Sequence, residues 1–172
     1  FYLENPSMER KNDVIEYMNE HVKYNSDING TGSFDHVLEG ETYEECMDRY
    51  YKIQDIDYAY SIDRCPGKTY FLIRKNDNKL IGMINIRHHL TPKMLEYGGH
   101  IVYGIRPTER RKGYNKINLY LGLIKALEEF NLDKVMLDCD VKNLGSDKTI
   151  QALGGVLERS GIDYYDGTLT NV

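Results

Sequence analysis

His100-Ile-Val-Tyr-Gly-Ile-Arg-Pro-Thr-Glu-Arg-Arg-Lys-Gly-Tyr-Asn115 is the stretch that decides the fold of this chain. Its first half alternates as a strand and stops at Pro107, and a helical pattern begins at Asn115. The first turn of a helix has amides without intrahelical partners, and the helix dipole adds partial positive charge there. Gly113 permits a positive φ and lets the backbone approach a ligand closely. The segment therefore predicts a strand, a compact loop and a helix that can together receive a diphosphate or a similar anion.

Three basic side chains in the loop, Arg110, Arg111 and Lys112, would add charge-assisted donors to these amides. Taken alone, a basic turn before a helix is about as often just a solvated helix cap. Two familiar phosphate loops do not fit, because neither Gly-x-x-x-x-Gly-Lys-Ser/Thr nor Gly-x-Gly-x-x-Gly lies between a strand and a helix. The loop by itself predicts an anion site and does not identify the anion.

The N-terminal part of the chain predicts two helices that a loop separates. The first helix is capped by Asn5-Pro6-Ser7 and runs to about residue 24, with an apolar stripe made of Val14, Ile15, Met18 and Val22. Residues 25–40, rich in Asn, Asp, Gly and Ser, predict a loop. Thr42 and Glu45 have the spacing of a capping box, which predicts a second helix to about residue 56.

The rest of the chain predicts mostly strands. Residues 69–74 and 80–88 should form a hairpin around the turn 76–78, and residues 100–106 a third strand in which Val102 pairs with Ile86. Beyond the helix 115–130, we expect a strand at 135–141, a helix at 146–153 and strands at 156–160 and 168–172 around a turn at 165–167. Strands packed by helices within one sheet indicate a mixed α/β (α+β) domain, and 172 residues suit one domain, 1–172.

Two blocks of residues follow the order and the elements of one known family. Ile105-Arg106-Pro107 ends a strand, and Arg110-x-x-Gly113-x-Asn115 follows with the spacing of the loop R/Q-x-x-G-x-G/A. Asn143-x-x-Ser146 and Gly154-Gly155 come after the next strand. Residues 80–159 therefore resemble the GNAT acetyltransferase superfamily. The resemblance implies acetyl-CoA as the acetyl donor, no metal, and a central, mostly antiparallel sheet that is splayed and flanked by helices.

The resemblance implies a role for each matched position. The loop amides would hold the pyrophosphate of CoA, the strand edge around Tyr103 would pair with the pantetheine arm, and Asn143 would bind a pantetheine amide. The Ile105 amide would polarise the acetyl carbonyl and stabilise the oxyanion that forms when an amine attacks. The implied cofactor-binding residues are Tyr103, Gly104, Ile105, Arg110, Arg111, Lys112, Gly113, Tyr114, Asn115, Asn143 and Ser146.

Three positions depart from the family pattern. Asn115 replaces the small residue at the end of the loop, which could tighten the fit or shift the phosphate. Ile150 stands where many relatives have a tyrosine that protonates the departing thiolate, so that water or another hydroxyl would have to serve. Gly99 stands where the commonest base is a glutamate. The family's usual acid and base are therefore both missing.

The nearest alternative bases are Glu96 and His100. A histidine such as His100 can titrate near neutrality, but His100 can also be simply a strand-edge histidine bonded to backbone. Glu96 can likewise be only a solvated loop residue. His88 and His89 could lie across from His100 and form a polar pocket, or simply a polar end of the sheet. These histidines are the sole candidate for a metal site, and we expect none.

Other side chains near the expected thioester position are weaker candidates. Tyr103 and Tyr164 could line the acceptor site, although most of the tyrosines should simply be packed. Cys139 lies in an apolar strand and is expected to be a buried inert thiol, which favours direct transfer over an acyl-enzyme. Asp138 and Asp140 flank it and could meet an ammonium, or only solvent.

The composition of the chain limits the classes of partner and site that are expected. A formal net charge of −5 argues against nucleic acid as the main partner and would suit a cationic substrate. The three scattered cysteines indicate neither a zinc site nor a disulfide framework, which favours the cytoplasm. No apolar run approaches the roughly 20 residues that span a bilayer, so no membrane contact is expected.

The sequence therefore predicts an N-acetyltransferase that moves acetyl from acetyl-CoA directly to a primary amine, on a small molecule or a protein, in a ternary complex. A homodimer is possible. The alternative is a catalytically weak GNAT-like domain that binds an acyl-CoA as a sensor or scaffold. A nucleic-acid-binding module built on Arg106 and the basic loop is disfavoured by the acidic charge and by the lack of interleaved aromatic residues.

Overall fold

A computed structural model describes residues 1–163 and 167–172 of the chain. Its strands are β1 (Tyr2–Glu4), β2 (Gly67–Arg74), β3 (Lys79–Arg87), β4 (Ile101–Ile105), β5 (Cys139–Asp140), β6 (Ser160–Ile162) and β7 (Leu169–Asn171). Its α-helices are α1 (Lys11–Lys23), α2 (Tyr43–Lys52), α3 (Ile56–Ser61), α4 (Pro92–Glu96), α5 (Tyr114–Phe130) and α6 (Leu144–Gln151). Short 3-10 helices are Met8–Arg10, Phe34–Glu39 and Pro107–Glu109.

The strands form two sheets that meet at one end and then diverge. The first has the order β1-β2-β3-β4 and is antiparallel throughout, and the second has the order β5-β7-β6. At the start of β4 the His100 amide donates to the carbonyl oxygen of Met136 at 2.7 Å. Beyond that bond β4 and β5 are not neighbours in either sheet. The predicted mixed α/β class and the splayed antiparallel sheet are confirmed.

The first sheet is covered by helices on both faces. One face packs against α1 and α2 in a core that includes Val14, Tyr17, Met18, Phe71 and Met83. The opposite face packs against α5, and the buried residues there include Tyr70, Ile84, Ile86, Ile101 and Leu119. The sheet is thus the middle layer between the helices.

The register of β4 against β3 differs from the prediction by one residue. Ile86 pairs with Ile101, and Val102 pairs with Asn85. A shift of one residue exchanges the two faces of a strand. Because Ile86 and Ile101 both belong to the core under α5, the observed register buries both isoleucines together, whereas the predicted one would have put them on different faces.

The helix α1 buries a different stripe from the predicted one. Val14 and Met18 are buried, but Ile15 and Val22 are exposed. Tyr17 and His21 take their places, with ring centroids 4.7 Å apart. The residues of α1 that face the sheet therefore include a phenol ring and an imidazole. A count of apolar residues does not identify them.

Several predicted boundaries shift. The Thr42–Glu45 capping box is confirmed, but α2 ends at Lys52, because Asp55 caps a separate helix, α3. The predicted loop 25–40 contains the 3-10 helix Phe34–Glu39, and between β3 and β4 the Thr91 side chain caps the short helix α4.

The C-terminal strands are also shorter than predicted. Residues 135–138 are not strand, because the divergence from β4 leaves them without a laddered neighbour, and only Cys139–Asp140 pairs. The predicted strand 156–160 is instead β6, which begins at Ser160. Most of the predicted turn 165–167 lies outside the described residues.

Candidate functional site

The edge of β4 that faces the divergence has no neighbouring strand among the described residues. Antiparallel residues point alternately toward and away from a given neighbouring strand. The Arg87 amide donates to the His100 carbonyl and the Arg106 amide donates to the Ile81 carbonyl, which fixes the residues that face β3. The alternate residues, Tyr103 and Ile105, therefore aim their N–H and C=O groups away from β3, into the opening.

The loop after β4 forms a concave set of amides. Arg111 has φ of 61° and Gly113 has φ of 79°, so both are left-handed. Gly113 is the N-cap of α5, and no side chain caps that helix start. Left-handed residues next to an uncapped helix N-terminus direct successive N–H groups to one side, which is the arrangement that binds phosphate.

The three basic side chains of the loop have different surroundings. Lys112 Nζ pairs with Glu109 at 2.8 Å. Arg110 donates from Nε to the Ile105 carbonyl at 2.9 Å and from Nη2 to Ser26 Oγ at 2.7 Å. Arg111 is exposed and has no side-chain partner within the described part of the chain. Of the three, only the Arg111 guanidinium is unengaged beside the loop.

The start of α5 is held against β3 and β4 by asparagines. Asn118 Nδ2 donates to the Met83 carbonyl at 3.1 Å, and Gly104 O lies 3.5 Å from the same nitrogen. The Oδ1 atoms of Asn115 and Asn118 are buried without a hydrogen-bond partner among the described residues. The sequence reasoning missed Asn118, which is fully buried one turn after Asn115 on α5. Its sequence signal is a polar residue within the apolar pattern of this helix.

Across the opening, the start of α6 faces β4. Asn143 is the N-cap of α6, and its Oδ1 accepts from the Ser146 amide at 3.1 Å. Tyr103 and Ser146 share a hydrogen bond of 2.7 Å between their hydroxyl groups, which bridges the divergence. Burial raises the pKa of Tyr103 to about 12, so the phenol keeps its proton. The predicted cofactor residues Tyr103, Asn143 and Ser146 are thus close together.

Cys139 lies beside this bridge. Its side chain is buried, and burial raises the pKa of its thiol. A protonated buried thiol is a poor nucleophile, as expected from the sequence. Ile150 packs in the core under α5, so no hydroxyl is available at that position.

On the other face of β4, the segment after α1 covers Gly104. A Cβ at Gly104 would lie 2.5 Å from the Asn29 carbonyl oxygen and 3.4 Å from the Tyr17 hydroxyl. A Cβ at Gly30 would lie 2.7 Å from Tyr103 Cα. These close approaches require glycine at both positions and place Asn29 and Gly30 over β4.

The family's usual base position is closed in this chain. Gly99 has φ of 56°, and a Cβ there would overlap the backbone of Met136. A glutamate at residue 99 would break the contact by which the two sheets meet. A glutamate side chain therefore does not fit at residue 99, because the backbone of Met136 occupies the space.

The two candidate bases are not brought together. Glu96 is exposed at the end of α4, and its backbone carbonyl accepts from Arg159 Nη2 at 2.6 Å. His100 Nδ1 accepts from the Met136 amide at 2.9 Å, and burial lowers the pKa of the imidazole. A neutral imidazole whose Nδ1 is an acceptor carries its proton on Nε2. The free nitrogen of His100 is therefore a donor, which does not favour a base.

Several other polar side chains at this end of the sheet are partly buried. His88 stacks on Phe130 at 5.0 Å rather than facing His100. Arg87 Nη1 donates to the carbonyls of Gly98 and Gly99 at 2.8 and 3.0 Å. Burial raises the pKa of Asp138, against the opposing effect of Arg87. No group of three metal-ligating side chains occurs in residues 1–163 and 167–172. Tyr164 lies outside the described residues.

A buried ion-pair network holds the loop to α1. Arg106 is 2% exposed, and its guanidinium contacts Glu16, Glu20 and the Leu80 carbonyl. Glu20 Oε1 accepts from both the amide and the hydroxyl of Thr108 at 2.8 Å. Burial raises the pKa of Glu20, but these hydrogen bonds outweigh it and hold the pKa at about 2. The sequence did not reveal this network, because Glu16 and Glu20 lie more than 80 residues before Arg106 and Thr108.

Known protein families and solved structures share this architecture. Residues 33–154 match the family described as Acetyltransferase (GNAT) family. A ribosomal-protein-S5-alanine acetyltransferase from Vibrio fischeri is 16% identical, with a TM-score of 0.68 over 98% of this chain and 90% of that chain. A ribosomal L7/L12 alpha-N-protein acetyltransferase in complex with coenzyme A is 14% identical, with a TM-score of 0.65 over 98% and 89%.

A third structure, a chimera of spermidine N-acetyltransferase from Vibrio cholerae, is 16% identical, with a TM-score of 0.64 over 99% of this chain and 93% of that chain. No curated protein matches the chain. Within the described residues, no helix has the length and apolar character needed to cross a membrane. Since the family match spans well over half of the chain and includes β4, the loop and α6, the chain belongs to the acetyltransferase (GNAT) family of N-acetyltransferases.

Proposed function

We propose that this chain transfers an acetyl group from acetyl-CoA directly to a primary amine in a ternary complex. The observation that carries the proposal is the free edge of β4, which leads within a few residues into the uncapped N-terminus of α5. A strand edge can pair with the amides of pantetheine, and a helix N-terminus can hold pyrophosphate. Their order along the chain matches the order of these groups along CoA.

The residues present fit this cofactor. The amides of residues 111–115 would hold the pyrophosphate, and Tyr103 and Gly104 would pair with the pantetheine arm. Asn143 uses its Oδ1 to cap α6, which leaves its Nδ2 to donate to a pantetheine carbonyl. The buried, unpartnered Oδ1 of Asn115 is an acceptor at the loop end, where the family has a side chain too small to bond.

The chemistry then follows from charge development. The amine nitrogen attacks the acetyl carbon, and the carbonyl oxygen becomes an oxyanion that the Ile105 amide stabilises. The carbon–sulfur bond breaks, and CoA leaves as a thiolate. The amine proton passes to a base, and the thiolate takes a proton from solvent or from another hydroxyl group.

The proton acceptor remains a choice among groups on the acceptor side. Glu96 is an exposed carboxylate with room to move, and His100 is held by the Met136 amide. Asp138 is a third candidate and a second carboxylate, which the sequence did not favour, and its raised pKa brings it closer to neutrality. We keep Glu96 and His100 as the predicted candidates and add Asp138 to the variants to compare.

The acceptor is an amine of a small molecule or of a protein. The structural relatives named above include enzymes for ribosomal protein amino groups and for spermidine, and their chemistry supports amine acylation in general. The net charge of −5 suits a cationic acceptor and disfavours nucleic acid. The three free cysteines favour a reducing compartment, so we propose the cytoplasm, with no membrane partner and with a homodimer open.

A scaffold that binds acyl-CoA without transfer is the second candidate, because Gly99 and Ile150 remove the family's usual base and acid. At acetyl-CoA near 100 times its Kd, binding should add about 2.7 kcal/mol of stability. That is a rise in melting temperature of about 5–10 °C for a chain of this size. No shift would contradict both functions. A shift with release of CoA thiol across a panel of amines supports the enzyme, and a shift without release supports the scaffold.

A further inference from the structure

The Arg110 side chain connects the end of β4 to the segment after α1. It turns back toward the strand, and its Nε donates to the Ile105 carbonyl at 2.9 Å. Its Nη2 donates to Ser26 Oγ at 2.7 Å. Both ends of the guanidinium are therefore bonded inside the chain, one of them to the residue whose amide faces the thioester position.

The environment of Arg110 supports this inward orientation. The pKa values of the Tyr17 phenol and the His21 imidazole are set mainly by burial, and the Arg110 charge lowers both. The guanidinium therefore lies near α1. Arg111, the next residue, is exposed with a left-handed backbone and has no side-chain partner among residues 1–163 and 167–172. Arg110 is thus bonded within the chain although the residue is exposed, whereas Arg111 has no such bond among the described residues.

The bond to Ile105 has a direct geometric effect. Ile105 is the last residue of β4, and its carbonyl belongs to the peptide unit after the one that contains its amide. In an extended residue the N–H and C=O point to the same side. The bond from Arg110 to the carbonyl therefore helps to keep Ile105 extended, with its amide aimed into the opening. An oxyanion donor stabilises a transition state only if it is already aimed at the developing charge.

We propose that Arg110 is a positioning residue for acetyl transfer, held by Ser26 and holding the Ile105 peptide, while Arg111 and the loop amides carry the phosphate charge. The proposal rests on the proposed function. It gives the first basic residue of the loop a role in the chemical step in place of the phosphate contact that the sequence predicted. It also couples the acceptor-side segment that contains Ser26 to the oxyanion donor.

The test compares two acetyl donors that differ in the pyrophosphate. Acetyl-CoA has it, and S-acetylpantetheine does not. Arg110→Gln should lower kcat about 10- to 100-fold with both donors and change KM for acetyl-CoA little, because a misaimed oxyanion donor affects the chemical step. The comparison variant Arg111→Gln should raise KM for acetyl-CoA several-fold and affect the truncated donor much less, since that donor has no phosphate.

Two further variants separate positioning from folding. Ser26→Ala should reproduce the fall in kcat with both donors at about 3- to 10-fold, and Arg110→Lys should restore part of the activity lost in Arg110→Gln, since an ammonium can make one of the two bonds. Each melting temperature should stay within a few degrees of the wild type. If Arg110→Gln behaves like Arg111→Gln, the positioning role is wrong and Arg110 is a phosphate ligand. A wild type that turns over neither donor would contradict the proposed function itself, and this inference with it.

Discussion

The cofactor side and the acceptor side of this molecule are built in different ways. The cofactor side, as proposed, consists mainly of residues 103–115, with Asn143 and Ser146 across the opening, and its binding groups are mostly backbone amides. The acceptor side combines the segment after α1, the end of β3, the segment before β4 and the start of β5, which are up to about 110 residues apart in sequence. The first can be recognised as a motif, and the second exists only after the chain has folded. Substitutions on the two sides should therefore fail in different ways.

The largest expected effect is on the cofactor side. Gly113→Glu should abolish acetyl-CoA binding, at least 100-fold in Kd by calorimetry, because it places bulk and negative charge where the diphosphate would sit. A side chain at this position meets nothing within 4 Å, so the substitution should not disrupt packing. Gly113→Asn is the matched control, because Asn tolerates the φ of 79° and carries no charge. Equal affinity for acetyl-CoA in both variants would remove the phosphate role from the loop.

Gly104→Ala tests the acceptor side by packing. The added Cβ would lie 2.5 Å from the Asn29 carbonyl, so Asn29 and Gly30 must move off β4. We expect a loss of about 1–3 kcal/mol in the free energy of unfolding, which is typical of overpacking, together with a rise in KM for the amine. Gly145→Ala is the control, because its nearest neighbour is 3.6 Å away and alanine favours the helix α6. A Gly104→Ala protein as stable as the control would show that the segment does not rest on β4.

Glu20→Gln tests the ion pairs that join the two sides. Removing this charge should cost about 1–3 kcal/mol by urea denaturation at pH 7, since it leaves the buried Arg106 with a weaker partner. Glu16→Gln makes the same change at a side chain that is 62% exposed and should cost less. The folded pKa of Glu20 is about 2, below that of an unfolded carboxyl. Its contribution is thus fully present above about pH 4.5 and is lost as the pH falls toward 2. The deficit of the variant should shrink over that range, and a constant deficit would argue against the charge.

The smallest expected effect is at His100. Its Nδ1 accepts from the Met136 amide, so the free nitrogen should carry the proton and accept none. His100→Gln should therefore lower kcat by less than about threefold and keep the acidic limb of the pH–rate profile. Glu96→Gln and Asp138→Asn are measured beside it, and the variant that loses the acidic limb identifies the base. Loss of that limb in His100→Gln would show that the imidazole changes its orientation during catalysis, so that one of its nitrogens can accept the proton.

The sequence by itself determined the class of fold and predicted the proposed cofactor side. Pro107, Gly113 and the start of α5 predict a helix N-terminus open to an anion, because backbone geometry and the helix dipole are local properties. Alternation at periods of about two and of 3.6 was sufficient for most elements, including the capping box of α2. The resemblance of two short blocks then gave the family, which the match over residues 33–154 confirms.

Only the tertiary structure decided the register, the partners of the loop and the acceptor side. The Ile86–Ile101 pairing follows from which residues share a core, and the burial of Tyr17 and His21 follows from contact with the sheet. The bonds from Ser26 and Glu20 to the chain after β4 join residues more than 80 positions apart. Such contacts depend on where the elements meet in space, and no local pattern in the sequence encodes that. The sequence thus predicted a loop that can hold a phosphate, and the fold determined which of its arginines is free to do so.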